Sequence, residues 1–158
     1  MGNRSRPPVV LLIEDSPADR EIIRRAFRES EGEYDLRIVS DGETALDYLF
    51  HRGGSETAGA HPPPDLILVD LNLPNLSGRE LIHIIRNYPE LRHIPIVVLT
   101  TSHAPNDILD CYRLGANSFL TKPSSFDAVV EMIRQTCRYW FSTATLPEIN
   151  RMGSGVSA

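Results

Sequence analysis

Three carboxylates, a hydroxyl and an amine stand far apart in the chain, yet each closes or follows an apolar run: Glu14, Asp15, Asp70, Thr100 and Lys122. Carboxylates gathered at one point repel one another unless a cation lies among them, and an all-oxygen donor set selects a hard ion such as Mg2+ over zinc. Mg2+ keeps several waters and takes one or two carboxylates together with phosphate oxygens, so Asp15 and Asp70 are expected as direct ligands and Glu14 as the holder of a bound water. One coordination position then remains for phosphate. A central Asp70 has the placement of a nucleophile, with the Lys122 ammonium and the Thr100 hydroxyl available to stabilise charge on an incoming phosphoryl group; carboxylate attack would give an aspartyl phosphate. Such a transfer asks a protein mainly for positioning and charge stabilisation, so this small set suffices.

These side chains meet only if the elements that carry them are laid side by side. Val9–Ile13, Leu66–Val69 and Ile96–Leu99 are uninterrupted apolar runs, the pattern of strands covered on both faces; Leu36–Val39 and Ser118–Thr121 are shorter candidates, the former for an edge. Helical patterns fill the gaps. Ser16 and Pro17 open a helix whose stripe is read as Ala18, Ile22, Ala26 and Phe27. Asp41 opens a second, and Ser77 with Glu80 forms a capping box before Leu81, Ile84, Ile85 and Tyr88. A fourth runs from Pro105 to Leu114 with Gly115 as its left-handed stop, and Ser124 is expected to cap a fifth that reaches Trp140. Strict alternation of strand and helix predicts an α/β fold, a flavodoxin-like (βα)5 doubly wound parallel sheet of strand order 2-1-3-4-5. In such a sheet ligands bind beyond the carboxyl ends of the strands, where Glu14-Asp15, Asp70, Thr100 and Lys122 all fall. The spacing predicts one domain over 8–141, with tails at 1–7 and 142–158 and a Gly- and Pro-rich surface loop at 52–64.

This constellation resembles the receiver domain of two-component response regulators. Glu14-Asp15 matches that family's acidic pair, and Asp70-Leu71-Asn72-Leu73-Pro74-Asn75-Leu76-Ser77-Gly78 fits its phosphoacceptor stretch. Thr100 matches its switch hydroxyl, Phe119 its switch aromatic, and Lys122-Pro123 its lysine followed by a proline after a cis bond. The resemblance implies that Asp70 takes its phosphoryl group from a sensor histidine kinase and that the backbone carbonyl of Asn72 completes the Mg2+ shell. A finer similarity is to the small regulators paired with bacterial phytochromes, carried by Asp41–Leu49, Leu99-Thr100-Thr101-Ser102 and a Trp near the end of the last helix; a bacteriophytochrome is the kinase this implies. Two features depart from the commonest pattern: Thr101 replaces a small residue after the switch hydroxyl, and Phe119 lacks the hydroxyl of the more frequent Tyr.

Composition narrows the alternatives. At 158 residues with 41% hydrophobic and 23% charged, the chain has room for one core. A net charge of −5 argues against nucleic acid as a partner. No apolar run approaches the roughly 20 residues of a membrane helix, and no signal-peptide pattern opens the chain, so a cytoplasmic location is expected. Cys111 and Cys137 read as buried thiols, and the histidines at 51, 61, 83, 93 and 103 as surface residues without metal spacing. Met132, Thr136, Tyr139, Trp140 and Phe141 give the last helix more apolar surface than one buried face requires, which suits either folding back on the domain or a dimer contact through the fourth helix, fifth strand and fifth helix that the tail strengthens. Two rival readings remain open here. A Mg2+-dependent phosphohydrolase with an Asp nucleophile needs a second acid two residues on, where Asn72 stands; a pseudo-receiver binds partners without phosphorylation.

Overall fold

The structure, a computed structural model, describes residues 6–51 and 61–148. Of the tails expected at 1–7 and 142–158, residues 1–5 and 149–158 lie outside the described residues, as does most of the expected loop, at 52–60. Five parallel strands, β1 (Val9–Ile13), β2 (Asp35–Val39), β3 (Leu66–Val69), β4 (Ile96–Thr100) and β5 (Ser118–Thr121), form one sheet in the order β2-β1-β3-β4-β5. The helices are α1 (Pro17–Glu29), α2 (Gly42–Leu49), α3 (Gly78–Asn87), α4 (Pro105–Leu114) and α5 (Phe126–Arg138), and a π-helical turn, Tyr139–Thr143, follows α5. The predicted doubly wound order is the observed one.

Strand alternation divides the core between the two faces. Leu11, Ile13, Ile67, Val69, Ile96 and Val98 pack with α2, α3 and α4, while Val10, Leu12, Leu66, Leu68, Val97 and Leu99 pack with α1 and α5. The central strands β1, β3 and β4 are buried along their whole length, and β2 and β5 at the edges are only half-buried, as the shorter apolar runs predict.

Capping sets where the helices begin. Ser16 accepts the Asp19 amide, Asp41 accepts that of Thr44, and Ser77 and Glu80 complete the capping box. Gly115 ends α4 at φ 111°, the left-handed conformation a glycine adopts without strain. Three local expectations are corrected. Ser125, not Ser124, caps α5 by accepting the Ala128 amide. The inner stripe of α1 is Ile23, Ala26 and Phe27, whereas Ala18 and Ile22 face solvent. The inner face of α3 is Leu81, Ile82 and Ile85, with Tyr88 exposed. Cys111 and Cys137 are buried free thiols, as expected. His51, His83 and His103 are exposed, but His61 and His93 are half-buried, His61 because its ring packs 4.8 Å from that of Tyr48. Trp140 and Phe141 fold back onto the α1–α5 face, Phe141 lying 5.9 Å from Tyr34, while Tyr139 remains exposed.

Candidate functional site

Strand register alone brings the chemical groups together. Ile13 pairs with Val69, and the Asp70 amide donates to the Ile13 carbonyl at 3.0 Å, so Glu14 and Asp70 leave the sheet side by side. Thr100 pairs with Thr121, and the Lys122 amide donates to the Thr100 carbonyl at 2.8 Å, which delivers Lys122 to the same rim. The loop after β1 is clamped by Arg20, whose Nη1 donates to the carbonyls of Glu14 at 3.0 Å and Asp15 at 2.9 Å. Gly78 shapes the other wall: a Cβ there would stand 2.4 Å from the Asp70 carbonyl oxygen and 2.8 Å from Leu71 Cα, so no larger residue lets α3 start against the end of β3.

Glu14, Asp15 and Asp70 each present a carboxylate oxygen within 4.8 Å of the others. Glu14 and Asp70 are buried and Asp15 is exposed, so the cluster runs from the interior to the surface. Oxygen donors graded in this way suit a hard divalent ion that keeps part of its water, the chemistry read from the sequence. Lys122 Nζ lies among the carboxylates, donating to Glu14 Oε1, to Asp19 Oδ2 at 2.8 Å and to Asp70 Oδ2 at 3.1 Å. The Asn72 amide donates to Asp70 Oδ1 at 3.2 Å and the Ser16 amide to Glu14 Oε2 at 3.3 Å.

The charges are mutually adjusted. Burial pushes the Glu14 carboxyl up to about 7 against the opposing hydrogen bond from Lys122, and Asp70 adds to the rise. Burial also acts to raise Asp70, but hydrogen bonding with Glu14, the Lys122 charge and the Asn72 amide outweigh it and hold Asp70 below the ordinary carboxylate range. Burial disfavours the Lys122 ammonium, yet hydrogen bonds to Asp19 and Glu14 and the charge of Asp70 raise it above its ordinary value. Both shifts favour a charged Asp70 carboxylate beside a charged Lys122 ammonium.

Thr100 is fully buried at the end of β4, and its hydroxyl has no hydrogen-bond partner among the described residues. Phe119 is half-buried against the α2–α3–α4 face, and its amide donates to the Tyr112 hydroxyl at 3.1 Å. The cis bond expected before Pro123 is not there: no described peptide bond is cis. Trans is the lower-energy isomer of an X–Pro bond by about 0.5–1 kcal/mol. Two contributors were missed by sequence reasoning. Asp19 and Arg20 lie in the first turn of α1, and their contacts, to Lys122 and to the carbonyls of Glu14 and Asp15, carry no local sequence signal.

The strand order and the carboxylate cluster at the carboxyl rim define a flavodoxin-like doubly wound α/β protein, and comparison with known proteins gives it a family. Residues 10–134 match the response regulator receiver domain, and the chain belongs to that family. It is 40% identical over 148 residues to Response regulator Rcp1 of Synechocystis sp., covering 93% of this chain and 99% of that protein. Among solved structures, the phosphorylated cyanobacterial phytochrome response regulator RcpA superposes with a TM-score of 0.82 at 38% identity, covering 90% of this chain and all of that one, 100%. The Mn2+-bound form of Rcp1 gives 0.80 at 39% identity, with coverage of 90% and 100%. Among the described residues no helix is long and apolar enough to cross a membrane.

Proposed function

We propose that this chain is a stand-alone receiver that accepts one phosphoryl group on Asp70 from the phosphohistidine of a sensor histidine kinase, with a bacteriophytochrome as the first candidate. The observation that carries the reading is the contact of Lys122 Nζ with both Asp70 and Glu14 across the rim. An Asp70 oxygen attacks phosphorus, the phosphorus–nitrogen bond breaks, and the imidazole leaves with the electron pair. Lys122 supports the charge on the phosphoryl oxygens, and Asn72 orients the carboxylate through its amide. Asp15, Asp70 and the Asn72 carbonyl, with Glu14 through a water, would hold Mg2+, which would supply further neutralisation when bound.

Phosphorylation replaces a carboxylate by a doubly negative group next to a cation and near a hydroxyl that lacks a partner. Thr100 is drawn toward it, and Phe119 repacks into the space released. Moving a two-state domain from mostly off to mostly on requires about 5.5 kcal/mol of differential stabilisation, within reach of a few charge-assisted contacts. The altered surface is that of α4, β5 and α5, where Leu109 and Tyr112 are exposed and a second copy would bind. Similarity to a phytochrome response regulator over that protein's full length supports the kinase class. Intact mass after incubation with acetyl phosphate and Mg2+ tests the reading: one phosphate is gained by the wild type and none by Asp70→Asn. Failure of the wild type to gain it, or repeated turnover of phosphomonoesters, points to the pseudo-receiver or the hydrolase instead.

A further inference from the structure

From the three contacts of one ammonium, and resting on the phosphoacceptor reading above, we propose that Asp19 is a positioning residue that anchors Lys122 throughout the phosphorylation cycle. Lys122 Nζ has three N–H donors and three carboxylate acceptors, Glu14, Asp19 and Asp70. Two of those acceptors have other duties. Asp70 is the nucleophile, and Glu14 belongs to the carboxylate cluster suited to a divalent ion. When that ion and a phosphoryl group arrive, both carboxylates are drawn to new partners. Asp19 lies outside the cluster, so its 2.8 Å bond to Nζ is the one that persists.

The fold holds Asp19 for this task. Its amide donates to Ser16 Oγ at 3.2 Å, fixing the residue in the first turn of α1, directly after the loop that carries Glu14 and Asp15. Its side chain is about one-third exposed, at 33%, so it holds the ammonium from the solvent side while Glu14 and Asp70 hold it from within. A lysine side chain has many rotamers, and an outer anchor removes the freedom that would carry the charge away from the reacting oxygen. An acidic residue in a first helical turn also interacts favourably with the helix dipole, but that role alone touches stability and not the rate of a reaction at Asp70.

The experiment measures, by intact mass, the rate at which the full chain gains phosphate from acetyl phosphate, and Mg2+ affinity by calorimetry, in the wild type, Asp19→Asn and Asp19→Glu. Asp19→Asn is expected to be about tenfold slower, inside the ~100-fold that a 1 Å misplacement can cost. Its Mg2+ affinity is expected to stay within about twofold, and Asp19→Glu recovers most of the rate because it restores the charge. Removing a negative charge by itself eases the approach of an anionic donor, so a fall in rate has the opposite sign to a general electrostatic effect. A rate for Asp19→Asn equal to or above that of the wild type, a parallel loss of Mg2+ affinity, or a Glu variant as slow as the Asn one overturns the inference. If the wild type itself gains no phosphate, it is the phosphoacceptor reading that fails.

Discussion

Thr100 is the residue where structure and function pull apart. A buried hydroxyl without a partner costs about 1–3 kcal/mol by protein mutational measures, and among the described residues none accepts from or donates to Thr100 Oγ1. Thr100→Val keeps the shape and removes the unpaired group, so urea unfolding should show stability unchanged or raised by about 1 kcal/mol. The same variant should lose most of the extra stability that the wild type gains in acetyl phosphate and Mg2+, because the phosphoryl group loses a donor. A destabilisation of about 2 kcal/mol or more without phosphodonor would mean the hydroxyl is already engaged. Glu14, Asp70 and Lys122 were legible from sequence because each follows directly on a strand, with Asp15 one residue beyond, and in a parallel sheet that position determines the neighbourhood. Asp19 was not, since its partner is supplied by a lysine 103 residues away whose direction only packing decides.

Among the elements, α3 is tied to the amino-terminal edge of the sheet by Arg86, which is far from the acidic rim. Its Nε donates to the Gly115 carbonyl at 2.8 Å, Nη1 to the carbonyls of Arg92 at 3.0 Å and Ile94 at 2.8 Å, and Nη2 to Asn117 Oδ1 at 2.8 Å. Asn117 Oδ1 also accepts the Ile96 amide at 2.8 Å, so one guanidinium joins α3, the end of α4 and the starts of β4 and β5. Arg86→Met leaves several carbonyls unpaired and should cost about 2–4 kcal/mol in urea unfolding, with Mg2+ affinity unaffected. On the other face, burial pushes the Cys137 thiol of α5 up to about 12 from an ordinary value of 9.0. A folded value above the unfolded one means a contribution present in full below pH 9 and lost as pH rises toward 12. Stability should therefore fall over that window, and less steeply in Cys137→Ala. The strands and most caps were readable from apolar runs and side-chain acceptors. The inner stripe of α1 was not, because Ala18, Ile22 and Ala26 satisfy helical spacing as well as Ile23, Ala26 and Phe27 do, and the sheet selects between them. Ser124 and Ser125 posed the same ambiguity one residue apart, settled by which hydroxyl meets the Ala128 amide.

For the molecule as a whole, folding concentrates negative charge at one rim. Glu14, Asp15, Asp19 and Asp70 converge there with Lys122 as their cation in the contacts described, in a chain that already carries −5. The folded state thus bears a repulsion that the unfolded chain avoids, and a divalent cation relieves it only in the folded state. Mg2+ should stabilise the protein by mass action, about 2.7 kcal/mol at a hundred times its dissociation constant, and EDTA should remove the gain. Asp15→Asn separates the two effects. Asp15 is exposed and makes no ion pair with Lys122, so replacing it removes repulsion without leaving a buried cation unpaired. In EDTA the variant should be at least as stable as the wild type; in millimolar Mg2+ the order should reverse, because the variant lacks a ligand carboxylate. Urea midpoints for both proteins under both conditions measure that crossing. Curves that stay parallel would mean the carboxylates gather for a reason other than holding a cation.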